Sequence, residues 1–200
     1  MDQVIETTTD SPTPQLPDGY LERSQRKTIL LLSDDLRLPS GIGTMAREIV
    51  LQTCHRFNCV NLGAGINHPE LGKIADLSQS IKDEMGIPDA YVRVYPYNGY
   101  GDPGIVRHLL KEEKIDCILH FTDPRYWEWL YHMEHELRGM VPLCFYSIWD
   151  DLPYPKYNRD YYRSCDAIFP ISKQTHNIVK QVLGEENVDV LDLWQEASNV

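Results

Sequence analysis

The order of apolar segments predicts an α/β fold, a single doubly wound sheet of parallel strands with helices on both faces. Three observations carry this expectation. Short all-apolar runs such as TILLLS (28–33) and AIFP (167–170) are too short for helices and lack a polar side, as strands buried on both faces do. Between such runs lie longer stretches whose apolar residues recur every three or four positions. The two kinds alternate along the chain, which places crossover helices between parallel strands.

Residues 1–26 precede the first run. They are rich in Thr, Ser, Pro and acids, show neither period, and are expected to form a disordered leader. The first strand spans 28–33. The loop DDLRLPSGIG follows, then a helix over about 44–56 in which Met45/Ile49 and Ala46/Val50/Cys54 recur at four-residue spacing. CVNL (59–62) reads as a second strand, 71–85 as a helix with Ile74, Leu77 and Ile81 on one face, and YVRVY (91–95) as a third strand. Asp102 before Pro103 is an N-cap with proline at the first helical position. CILHF (117–121) is the next strand, and Asp123 before Pro124 repeats the cap signal ahead of the aromatic helix RYWEWLYHMEHEL. A strand over 141–148, a short helix within 155–164, a strand over 167–170 and a helix over 173–183 follow. The domain is expected to run from 27 to 185, with 186–200 as linker or tail.

Composition narrows the classes of function. The chain has 200 residues, with 30 acids against 19 bases and a net charge of −11, a balance that argues against a nucleic-acid partner. No stretch approaches the ~18 apolar residues a membrane span requires. The first residues have neither the basic nor the apolar region of a signal peptide. The five cysteines, Cys54, Cys59, Cys117, Cys144 and Cys165, are odd in number and form no C-x-x-C, so they read as reduced thiols in a cytoplasmic protein.

Four groups could carry chemistry. Gly41-Ile42-Gly43-Thr44-Met45-Ala46 matches G-x-G-x-x-A, the glycine pattern that lets a backbone approach a phosphate at a helix start. Seven residues separate it from the first strand, and Asn61-Leu62-Gly63-Ala64 supplies no acid for a ribose, which argues against a nicotinamide dinucleotide. Another anionic group, or a plain turn, stays open. His120 ends a strand where a general base would sit, or is a satisfied core histidine; Asp123 beside it is also the plain cap of the next helix. Trp149-Asp150-Asp151 could hold a polyol between a ring face and carboxylate oxygens, or be an exposed acidic loop. Glu128, His132, His135 and Glu136 share a helix but match no metal pattern, and read as its polar face. No Asp-x-Asp, no G-x-x-x-x-G-K-[ST] and no G-x-S-x-G occurs.

In order and spacing, four segments resemble the N-terminal half of a GT-B glycosyltransferase, close to the retaining family 4 group. They are ILLLSDDLRLPSGIGTMAREI, IDCILHFTDP, VPLCFYSIWDDLPYP and CDAIFPISKQTHNIVKQVL, together covering about 28–183. The resemblance implies a Rossmann-like domain that binds a glycan or other hydroxyl acceptor and works with a nucleotide sugar as substrate, without metal or other cofactor. It implies that Ser40, Gly41, Ile42 and Gly43 face the donor diphosphate, that His120 and Asp123 are catalytic, and that Trp149, Asp150 and Ser172 touch the substrate. The chain departs from the pattern at Ser40, which replaces a glycine, and at Thr122 and Trp149, which replace histidines. In that family a second domain, which carries an E-x-x-x-x-x-x-x-E motif, binds the donor, and the four segments resemble only the first domain. The expectation is an acceptor-binding half, inactive alone, with a second chain carrying the donor domain as a further partner. The alternative is a non-catalytic glycan- or protein-binding module on the same fold.

Overall fold

The computed structural model describes residues 16–67 and 69–184, together with the backbone of the two-residue strand at 189–190. Residues 1–15 of the expected leader, and the rest of the 186–200 tail, lie outside the described residues.

The chain forms β1 (Lys27–Asp34), α1 (Gly41–Thr53), β2 (Phe57–Ile66), β3 (Ala75–Asp76), α2 (Ser78–Met85), β4 (Val92–Asn98), α3 (Pro103–Glu112) and β5 (Cys117–His120). It continues with α4 (Glu128–His132), α5 (Glu134–Arg138), β6 (Leu143–Ser147), α6 (Arg159–Arg163), β7 (Ala167–Pro170), α7 (Lys173–Leu183) and β8 (Asp189–Val190). The strands make one sheet in the order β3-β4-β2-β1-β5-β6-β7-β8. Every pairing is parallel except that of the short edge strand β3 with β4. The fold is the expected α/β, Rossmann-like architecture.

β1 lies at the centre, with Leu30 opposite Val60 of β2 on one side and Ile118 of β5 on the other. Leu30 and Leu32 point into a core closed by α3, α4, α5, α6 and α7; Leu31 points into a second core closed by α1 and α2. A strand with no exposed face has no reason to alternate, which is why TILLLS is apolar throughout. On the α1 side, Cys117, Leu119, Cys144 and Phe169 of β5, β6 and β7 border an apolar groove of about 210 Å³, walled by α1 among the helices of the described residues. From β1 the chain builds outward through β2 and β4, then returns to β5 on the opposite side. The crevice between the C-terminal ends of β1 and β5 is therefore the topological switch point, where open α/β sheets bind ligands.

Four expectations need correction. The first helix begins at Gly41 rather than near 44, because Ser40 caps it, so the glycines form its first turn instead of a loop before it. The helix expected over 71–85 covers only Ser78–Met85. Gly72 has φ +79°, the Asp76 carboxylate accepts from the Ser78 N–H at 2.9 Å, and β3 takes up the residues between. The aromatic helix is three pieces, a 3-10 turn over Pro124–Trp127 and then α4 and α5, interrupted at Met133. Order begins before residue 27: the Arg26 guanidinium is fully buried on Asp89, and Arg23 lies 4.0 Å from the centre of the Tyr91 ring.

At the end of α3, Glu113 accepts hydrogen bonds from the Tyr91 and Tyr95 hydroxyls and from Arg93. Burial pushes its pKa up, but these three donors outweigh burial and hold it below the ordinary 4.5. A carboxylate with a depressed folded pKa stabilises the fold above about 4.5 and loses that contribution as pH falls through the folded value. Glu113→Gln should therefore cost about 1–3 kcal/mol at pH 7 and flatten the fall in melting temperature on acidification below pH 4.5. A melting-temperature series in both proteins checks this.

Candidate functional site

The rim at the switch point is built first by local hydrogen bonds. The side chain of Asp35, buried after β1, accepts from the Arg37 N–H at 2.9 Å and from the Arg37 guanidinium at 3.0 and 2.8 Å. Arg37 also reaches Glu70 at 2.7 Å. The Leu36 N–H donates to Asn61 of β2 at 3.2 Å, pinning the loop to the sheet. Ser40 then donates from its hydroxyl to Asp34 at 2.6 Å and accepts from the Gly43 N–H at 2.9 Å. The two glycines differ. A Cβ on Gly43 would stand 2.6 Å from the Leu38 carbonyl oxygen, so close packing of the loop on the helix requires glycine there. A Cβ on Gly41 would meet nothing within 4 Å, which leaves the first turn of α1 open to solvent on that side.

Beside α1, the C-terminal ends of β5 and β6 enclose a cavity of about 340 Å³. Ile42, Thr122, Asp123, Pro124, Trp149, Asp150 and Asp151 form its walls and mouth, while Phe145, Ser147, Asn158 and Tyr162 line it below. Ser147 Oγ and both polar atoms of the Asn158 side chain are buried and complete no hydrogen bond of ordinary geometry. The Tyr162 hydroxyl stands against both residues; burial raises its pKa, and their proximity partly offsets the rise. Each such unsatisfied group forfeits about 1–3 kcal/mol relative to a partnered one. A cavity floored by an amide and a hydroxyl with hydrogen-bonding capacity to spare, under an indole and several carboxylates, is suited to a ligand bearing several hydroxyls.

At the mouth, Trp149 donates its indole N–H to the Asp151 carbonyl at 3.1 Å and meets the Tyr157 ring edge-on at 5.9 Å. The Arg125 guanidinium lies 5.6 Å from the Trp149 ring centre and is held there by Asp123. Burial raises the Asp123 pKa, but the Arg125 side chain and N–H outweigh it and keep the carboxyl below the usual carboxylate range. Asp123 is thus an ionised acceptor as well as the cap of the turn that follows, accepting from the Arg125 N–H at 3.0 Å. Gln174 of α7 donates to the Asp150 carbonyl at 2.8 Å and ties this loop to the last helix.

The other expected residues fall elsewhere. His120 is fully buried and does not line the cavity. Its Nδ1 is 2.6 Å from the Tyr131 hydroxyl, its ring stacks on Phe145 at 5.3 Å, and its Nε2 has no partner. Burial lowers its pKa to about 3, so the imidazole is neutral near pH 7. Ser172 caps α7, accepting from the Thr175 N–H at 3.1 Å, and is absent from the cavity lining. His132 and Glu128 lie 3.7 Å apart on an exposed helix face, and among the described residues no three His, Cys, Asp or Glu side chains gather as a metal site would require. Among the described residues no helix is long and apolar enough to cross a membrane.

Ser147, Asn158 and Tyr162 were not marked by the sequence, although a serine closing the apolar run LCFYS was a visible signal. The chain matches no known family model, and comparison with curated proteins finds no match.

The two glycines should respond in opposite ways. Gly43→Ala is expected to destabilise by about 1–3 kcal/mol through its clash with the Leu38 carbonyl. Gly41→Ala should be neutral or stabilising by up to about 1 kcal/mol, since alanine is the better helix former and has room. Urea titrations of the two variants separate a packing glycine from a merely permitted one.

Proposed function

We propose that this chain binds a hydroxyl-rich acceptor, a glycan or a similar polyol, as the acceptor domain of a nucleotide-sugar-dependent glycosyltransferase. The observation that carries the reading is the polar floor of the switch-point cavity, where Ser147 Oγ and the Asn158 carboxamide lie buried below Trp149 and Asp123, beside the Tyr162 hydroxyl but completing no hydrogen bond of ordinary geometry. Sugar hydroxyls both donate and accept, so an amide, a hydroxyl and ionised carboxylates can each complete a hydrogen bond to one. The Trp149 ring offers an apolar surface to the C–H face of a pyranose. The resemblance of the four sequence segments supports the assignment to sugar transfer. In such an enzyme the leaving diphosphate would face the open first turn of α1 at Gly41 and Ile42, whose N–H groups sit at the positive end of the helix.

A second reading, a binding module without catalysis, is favoured by one observation. His120, the candidate base, is sealed beneath the cavity instead of opening into it. Titrating the chain with UDP- and GDP-sugars as well as with oligosaccharides distinguishes the two. Nucleotide-sugar binding that Gly41→Val weakens is expected of the transferase domain and not of the module.

For the shared claim, calorimetric titration with a panel of neutral oligosaccharides should find at least one ligand that also quenches tryptophan fluorescence. Trp149→Ala should weaken that ligand about two- to tenfold, the loss of one stacked ring. Asn158→Leu should abolish binding while leaving the melting temperature unchanged or higher, because it removes buried polar atoms that complete no hydrogen bond of ordinary geometry. A panel without any binder, or a wild-type affinity in Asn158→Leu, would sink the assignment.

A further inference from the structure

We propose that Cys117 and Cys144 form an oxidant-sensitive dithiol, which hydrogen peroxide converts to an intramolecular disulfide joining β5 to β6. This inference is independent of the proposed function.

The two residues sit on adjacent parallel strands. Ile118 pairs with Leu143 and Leu119 with Cys144, so Cys117 and Cys144 are diagonal neighbours on the same face of the sheet. Their sulfurs lean together to 3.8 Å, the Cys117 thiol donating towards Cys144 Sγ and, more weakly, towards the Ile118 carbonyl at 3.6 Å. Both line the apolar groove beside α1, and Cys117 is partly exposed. The hydrogen bond from the Cys117 thiol lowers the Cys144 pKa and raises that of Cys117, so the pair is written below with Cys144 reacting first.

The remaining thiols lack this combination. Cys59 is buried and borders the same groove, but desolvation pushes its pKa up to about 12. Cys165 is buried, donates to the Tyr161 carbonyl at 3.3 Å, and has its pKa raised by burial. Cys54 is buried, donates to the Leu51 carbonyl at 3.2 Å, and is likewise raised by burial.

The chemistry balances. The Cys144 thiolate attacks one peroxide oxygen, the O–O bond breaks, and the departing hydroxide takes up a proton, giving a sulfenic acid and one water. Cys117 sulfur then attacks the Cys144 sulfur, the S–OH bond breaks, and the hydroxyl leaves with the Cys117 proton as a second water. Two thiols and one peroxide become one disulfide and two waters. Diagonal neighbours stand roughly 7–8 Å apart, so closing the sulfurs from 3.8 Å to about 2.05 Å takes a small backbone shift of β5 against β6 as well as side-chain rotation. The cross-link would join the two strands whose C-terminal ends lead to Asp123 and Ser147 at the cavity.

The test is to treat the purified chain with hydrogen peroxide, alkylate it under denaturing conditions, and map the peptides by mass. Alkylated cysteines should fall from five to three, two thiols being consumed, with one linked Cys117–Cys144 peptide about two hydrogens lighter and recovery on adding dithiothreitol. Cys59→Ser should leave that link intact, whereas Cys117→Ser and Cys144→Ser should each abolish it. The wild-type map decides the matter even where a serine variant fails to fold. Oxidation that falls on Cys54, Cys59 or Cys165, that stops at sulfenic or sulfinic acid on either partner, or that yields only links between chains overturns the proposal.

Discussion

The rest of the structure depends on the requirement that β1 belong to two cores at once. Its three consecutive leucines are buried on alternate faces, and its backbone is laddered on both sides by parallel strands. A strand so placed leaves no water for its backbone and no exposed face for a polar side chain, so partners must cover it in every direction. Parallel partners need crossovers, and the crossovers are the helices. Because β2 lies to one side of β1 and β5 to the other, the loops leaving their C-terminal ends part there, and a crevice follows from the topology alone. The glycine turn, the Asp123 cap and the Trp149 loop all gather at that crevice, because each follows a strand that runs in the same direction.

Much of this was legible because it is local. A buried strand announces itself by lacking a polar face, and the caps Ser40, Asp102, Asp123 and Ser172 act within three residues of their own position. The misreadings arose where distant partners decide. Leu71 and Ile74 stand at helical spacing with Leu77 and Ile81, yet both are exposed, since periodicity defines a face without saying whether anything covers it. The polar stretch before residue 27 reads as a leader by composition. The order of residues 16–26 comes from Asp89 and Tyr91, more than sixty residues away, which receive Arg26 and Arg23.

The same division runs through the site. Asp123 and Trp149 could be suspected because each follows an apolar strand directly. Ser147 and Asn158 could not be joined from sequence, since one ends a strand and the other lies in a turn eleven positions on, and only the packing of Tyr162 against the sheet brings their polar atoms together. His120 shows the opposite error. A histidine at the end of a strand looks available, but this one points into the aromatic cluster of Trp127, Tyr131 and Phe145, where desolvation keeps it neutral.

Electrostatics limits what the crevice can receive. Its carboxylates, Asp34, Asp35, Asp123, Asp150 and Asp151, outnumber the cations beside them, and Arg37 and Arg125 are each ion-paired to one of these acids. Asp34 is hydrogen-bonded to the very serine that caps α1, so a carboxylate already sits beside the positive end of that helix. A diphosphate arriving there would meet N–H groups on one side and like charge on the other, while a neutral polyol in the cavity would meet only donors and acceptors. On the proposed function, the described residues would therefore suit the acceptor better than an anionic donor. In the proposed enzyme, the cations that answer the diphosphate would have to come from a surface facing this rim across the crevice.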